Sequence, residues 1–167
     1  CSGIISSTGA VFGTLFPMAV IIFAGAYWFF FSPEVQIDLA NESVLPVTGQ
    51  TSILPFLVPI IFGLIGIEMS AFHANDVDNP QKTYPKAIFI STVLIVSTML
   101  LSSVSIALIV PKSDLSIITG IVQVFEYIFK DGPLQYLKPV MVILVLWGGI
   151  ANVATWVIGP SKGMLVA

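Results

Sequence analysis

Charge is what this sequence has least of. Of its 167 residues 9% are charged, as nine acids against six lysines, for a net charge of −3. A soluble domain carries about 25% charged residues. So little charge cannot cover a chain that is 56% apolar with a mean hydropathy of +1.01. The missing solvent is lipid. Arginine is absent altogether, so there is no basic patch for a phosphate backbone and no nucleic-acid partner is expected. The one cysteine, Cys1, excludes a disulfide framework and a Cys-based zinc or iron–sulfur site, and no metal or cofactor is expected. Cys1-Ser2-Gly3 carries no charged n-region and does not read as a signal peptide. With apolar sequence again at Gly163–Ala167, the chain reads as an excerpt from a longer membrane protein.

What the sequence does have is long apolar runs. A membrane-spanning helix takes about 20 of them, and four stretches qualify, at about 9–31, 53–71, 87–110 and 139–167. The first is uncharged, holds Pro17, and ends near Tyr27-Trp28, which suit a membrane–water interface. Between the third and fourth, apolar residues recur at helical spacing over about 116–129. That run is too short to span and reads as an interfacial helix, closed by Asp131-Gly132-Pro133. Lysines divide three and three between the two sides, so they set no orientation. The loop after the first span holds Glu34, Asp38 and Glu42 without a base, which leans it outward and the His73–Lys86 loop inward.

The second stretch is the informative one. Pro55, Pro59, Gly63 and Gly66 weaken its hydrogen-bond ladder at membrane depth. Broken backbone there is tolerated where protein or a water-filled cavity satisfies it. A proline-kinked helix without a ligand would look the same. Glu68, two residues after Gly66, tips the reading towards function, because a carboxylate at a helix centre costs about 2.5–3.5 kcal/mol on insertion scales. Glu68 is therefore a candidate for proton-linked control; the bland alternative is an interfacial carboxylate near the helix end. His73 is the single histidine, and on a continuous helix it points about 140° away from Glu68, so it reads as a solvated boundary residue. No serine has a partner base in sight, so the chain is not read as an enzyme. Gly9 and Gly13 form a small-xxx-small pair for close helix packing. Trp156 lies deep in the fourth stretch and is either a packing residue or an aromatic wall for a cationic or planar group.

The run from Gly66-Ile67-Glu68 through Ala71, Asn79-Pro80, Lys82, Pro85 and Ala87 resembles the helix-six signature of the amino acid–polyamine–organocation transporters. Trp156 to Met164 resembles the eighth-helix segment of their glutamate/GABA antiporter branch. The resemblance covers essentially the whole chain, as helices five to eight of about twelve. It implies an all-α integral membrane fold: four transmembrane helices of an inverted-repeat, LeuT-like transporter, the second of them discontinuous. It places Phe62, Gly63, Leu64, Ile65 and Gly66 at the unwound stretch that receives the substrate's ammonium group, with Phe62 closing over the substrate. Glu68 matches a gating and pH-responsive glutamate, and Trp156 an aromatic facing the substrate path. The Asn79-Pro80 loop becomes cytoplasmic. There are two departures: Asn152 stands where the glutamate/GABA exchangers are associated with an acid, and the first span lacks the lysine of some proton-coupled relatives.

The expectation is thus a secondary transporter in a bacterial inner membrane. It would exchange an acidic amino acid for its decarboxylated amine by alternating access. Its partners would be that substrate, the lipid bilayer and the other helices of the full-length transporter. A proton-coupled symporter of the same fold is the alternative, and a non-transporting assembly bundle is the rival from another class.

Overall fold

Apolar runs without a β-like alternation form helices here, and the breaks fall at glycine, proline and asparagine. The computed structural model describes residues 2–32, 36, 54–66, 77–116, 119–130 and 133–166. Among them there is no strand. Helix α1 (Ser2–Thr8) passes through a π-helical stretch (Gly9–Leu15) into α2 (Phe16–Phe31). Then come α3 (Leu54–Leu64), α4 (Pro80–Ile109), α5 (Gly120–Ile128), a short 3-10 turn (Pro133–Tyr136) and α6 (Leu137–Val166). Three of the described helical stretches are long and apolar enough to cross a membrane: Ile4–Phe31, Pro80–Ile109 and Pro133–Ile158. In the expected second span, the description covers α3 and the turn that follows it; Glu68 and His73 lie outside the described residues.

Two compact units divide the chain. One joins Cys1–Ile37 to Thr98–Thr155, and the other joins Asp38–Ser97 to Trp156–Ala167. The first unit is held by backbone proximity. A methyl group on Gly9 would overlap the Ala151 side chain, and one on Gly13 would overlap the backbone of Gly148. Ser6 and Thr155 extend the same seam with a hydroxyl–hydroxyl hydrogen bond of 3.0 Å. Residue numbers rise on one helix as they fall on the other, so α1–α2 and α6 run antiparallel there. In lipid no hydrophobic force draws helices together, and small residues let backbones approach closely enough for dispersion and weak hydrogen bonds to hold them. Gly25 makes a second such crossing with Ser105 of α4.

Every fourth residue from Gly9 to Gly25 (Gly9, Gly13, Pro17, Ile21, Gly25) is buried. On an α-helix a four-residue step overshoots a full turn by about 40°. The π-helical stretch winds less per residue and turns the stripe back, so Gly9 and Gly13 both meet α6. Above this seam the core of the unit is apolar. Val124 and Phe125 of α5 are fully buried against Ile21, Ile109, Val110, Phe129 and Met141. Part of the apolar face of the expected interfacial helix, at Val124 and Phe125, is therefore covered by protein, while Ile121 stays exposed.

Three hydroxyls of α4 are satisfied locally. Thr92, Ser102 and Ser105 of α4 donate to the carbonyls four residues back, at 2.6–2.8 Å, which spares lipid an unpaired donor. The α4 N-terminus explains part of the motif read from the sequence. Asn79 takes a positive φ of 54°, a conformation asparagine tolerates better than most residues. Its carbonyl accepts from Lys82 and Thr83 N–H at 3.1 Å each. Pro80 then occupies the first helical position, where a missing N–H costs nothing.

Candidate functional site

The site expected from the sequence centres on the end of α3. The helix stops at Leu64, and its closing bond runs from Ile65 N–H to Ile61 O at 3.1 Å. Gly66 then adopts φ +106°, which a residue with a Cβ enters only under strain. A second constraint acts at the same position: a Cβ on Gly66 would lie 3.3 Å from Trp156 Cζ2. Within this unit the structure thus brings together two residues that are 90 apart in the sequence. Trp156, on α6, keeps 43% of its surface exposed, so its ring is only partly spent on this contact. Gly63 is exposed in the last turn of α3 and Ile65 is exposed beside Gly66, while Leu64 is half-buried. The Phe62 side chain lies outside the described residues, as does Glu68.

A helix C-terminus gathers carbonyl oxygens and carries about half a negative charge. An aromatic face adds attraction for a cation within about 6 Å of the ring. The α3 terminus with Trp156 beside it is therefore an arrangement suited to an ammonium group. Among the described residues it offers no nucleophile and no proton-transfer pair, and no group of three or more His, Cys, Asp or Glu side chains could hold a metal.

The first unit holds a cavity of about 430 Å³ of its own. Thr14, Ser102, Ser103 and Asn152 supply its polar lining, amid apolar residues and glycines, and among the described residues no charged side chain lines it. The Ser102 hydroxyl is already engaged with Thr98 O at 2.6 Å. Asn152 therefore brings an amide to a neutral wall.

A polar cluster outside the spanning segments was not anticipated from the sequence. Asp114 accepts hydrogen bonds from the Tyr127 hydroxyl and, at 2.9 Å, from the Ser113 hydroxyl. Gln123 donates to Asp114 O at 3.0 Å and accepts from Ser116 N–H at 2.9 Å. Together these bonds fasten the loop before α5 to α5 itself. The Tyr127 hydroxyl, and after it Ser113, hold the Asp114 carboxyl below its ordinary range. The same bond to Asp114 raises the Tyr127 phenol, helped by desolvation and the negative charges of Asp114 and Glu126. Nearby, Lys138 pairs with Glu126 at 2.9 Å, both largely in the open. Local i, i+4 spacing could have flagged none of this, since Asp114 and Tyr127 are thirteen residues apart.

Long apolar helices, the small-residue seam and a helix end at a positive-φ glycine define a class: an all-α, multi-pass membrane protein. Comparison with known proteins then narrows the class. The amino acid permease family profile matches residues 1–165, and the chain belongs to that family. An uncharacterized transporter of Legionella pneumophila is 42% identical over 166 residues, covering 99% of this chain and 36% of the relative. A glutamate/gamma-aminobutyrate antiporter of Lactococcus lactis subsp. lactis is 30% identical over 161 residues, covering 95% of this chain and 32% of the relative. Its counterpart in Lactococcus lactis subsp. cremoris is 29% identical over 161 residues, with the same coverage of 95% and 32%. The chain thus spans about a third of the length of these relatives. No solved structure matches it.

Proposed function

We propose that this chain is the part of a secondary amino acid transporter that carries one side of its substrate site, in a bacterial inner membrane, with four spans at about 9–31, 53–71, 87–110 and 139–167. The transporter exchanges an acidic amino acid for its decarboxylated amine by alternating access. The observation that carries this reading is the Gly66 turn with Trp156 packed 3.3 Å from where a Cβ would stand: a helix that ends beside an aromatic ring. Discontinuous helices near the bilayer midplane are where such transporters bind substrate. The names of the Lactococcus relatives supply the substrate class.

In this reading the carbonyls of Phe62, Gly63, Leu64 and Ile65 and the Gly66 turn receive the substrate ammonium group, common to the amino acid and the amine. Phe62 and Trp156 flank it. Glu68 gates the site and responds to pH. The Asn79-Pro80 loop lies in the cytoplasm.

The test is counterflow in proteoliposomes with the full-length protein that carries this chain. Labelled glutamate outside is set against a panel of amino acids and amines inside, at two pH values. Uptake that requires internal substrate, and whose pH profile moves in Glu68→Gln, is the expected result. Uptake driven by a proton gradient with no internal substrate would replace exchange with symport. No flux for any panel member, with folded protein, would overturn transport and favour an assembly role.

A further inference from the structure

We infer that the π-helical stretch Gly9–Leu15 is a two-state register switch, able to pass to α-helical winding and so to reset the face the first span presents to α6. The argument begins with one carbonyl. In α-winding, Gly13 O would look to the N–H of residue 17, and Pro17 has none. In π-winding, carbonyls are served from five residues on, as Phe16 N–H bonds Val11 O, and Gly13 O then looks past Pro17 to Met18. There is also an alternative partner across the seam. Gly13 O lies against the Gly148 backbone, so closely that a Cβ on Gly148 would fall 2.5 Å from it. A Cα–H···O contact can therefore serve the carbonyl when the helix does not. If Gly13 keeps its place at the seam while only the segment before it turns, its carbonyl is engaged in both windings, which allows two discrete states. π-turns inside α-helices are otherwise rare and recur at functional sites.

The consequence is geometric. Passing one residue from π- to α-winding moves the segment before it by about 1.5 Å along the axis and about 100° around it. Ser6 would leave Thr155, ending their 3.0 Å hydrogen bond, and Gly9 would leave Ala151. Gly13, Thr14, Pro17 and Met18 also line the cavity of about 430 Å³, so the winding decides what that wall exposes. Assigning the switch to the transport cycle rests on the exchange reading above; the switch itself does not.

The experiment uses the full-length protein in nanodiscs and proteoliposomes. Backbone amide exchange is read at Thr14, Leu15, Phe16 and Met18 and compared with residues 21–28 of α2. The first group is expected to exchange at least tenfold faster. Deleting Thr14 removes the residue that distinguishes the two windings and keeps the flanking faces in place. It is expected to bring Leu15, Phe16 and Met18 to the protection of the second group and to slow counterflow at least tenfold with unchanged substrate affinity. If that variant does not fold, Pro17→Ala, which restores the N–H for α-winding, carries the same two readouts. Equal protection of both groups in the wild type overturns the switch, as does a Thr14 deletion that exchanges substrate at the wild-type rate. Wild-type protein without any counterflow rejects the exchange reading instead, and amide exchange still decides the switch.

Discussion

Gly13 and Gly66 sit in apolar helical stretches that look alike in the sequence, and they are glycines for opposite reasons. Gly13, in the π-helical stretch, has no positive φ and no room: a side chain there would run into Gly148 and the Leu144 carbonyl. Gly66 has a nearly sufficient gap, 3.3 Å to the Trp156 ring, and a backbone at φ +106° that a side chain resists. The first glycine holds two helices together, and the second ends one. Packing glycines should therefore fail in stability, and the turn glycine in transport.

The largest expected effect comes from Gly13→Ala, whose methyl group meets backbone that cannot step aside. It should lower the unfolding free energy of the full-length protein by about 3 kcal/mol, at the upper end of overpacking penalties, seen as a fall in melting temperature in detergent. Gly9→Ala meets a methyl group instead, that of Ala151, so Gly9→Ala combined with Ala151→Gly should recover most of the lost stability. A failure of that rescue would mean the seam is not closed by this contact. Gly66→Ala should cost about 1–3 kcal/mol of backbone strain and slow counterflow well beyond the slowing in Leu64→Ala. Adding Trp156→Ala should not restore it, because the strain lies in φ. Recovery in that double variant would place the constraint in the ring contact.

The smallest effects lie outside the spans. Tyr127→Phe should loosen the loop before α5 only within a pH window. Asp114, with its folded pKa depressed, contributes stability above its ordinary value near 3.8 and loses it as pH falls through the lower folded value. Tyr127, with its folded pKa raised, contributes below 10.0 and loses it as pH rises through the higher one. Unfolding curves of the wild type and Tyr127→Phe should therefore differ between those limits and converge beyond them. Glu126→Gln, which removes an exposed partner of Lys138, should change stability by less than about 1 kcal/mol.

Much of this was legible from residue types. The apolar runs at 9–31, 87–110 and 139–167 meet described helices at Ile4–Phe31, Pro80–Ile109 and Leu137–Val166. The helices run further than the runs because lysine, threonine and tyrosine at an end are compatible with helix but not with a hydropathy window. The α4 start illustrates this, with Pro80 to Lys86 helical although polar. The small-residue pair Gly9 and Gly13 was visible as a pattern, yet its partners were not. Nothing local marks Gly148 and Ala151 as the residues they meet, since contacts over that separation depend on how helices cross. The π-winding escaped for a related reason: Pro17 was visible, but a proline can equally kink a helix.

Composition by itself determined that this chain lies in lipid, and the length of its apolar runs that it is helical there. Those follow from the cost of unpaired backbone in hydrocarbon, which every residue pays alike. Motif residues added the family. Tertiary structure alone decided which glycine packs and which turns, that Trp156 stands beside Gly66, and that Asp114 finds Tyr127. These are pairings across the chain, and a pairing is set by the crossing of two helices rather than by the preference of either residue.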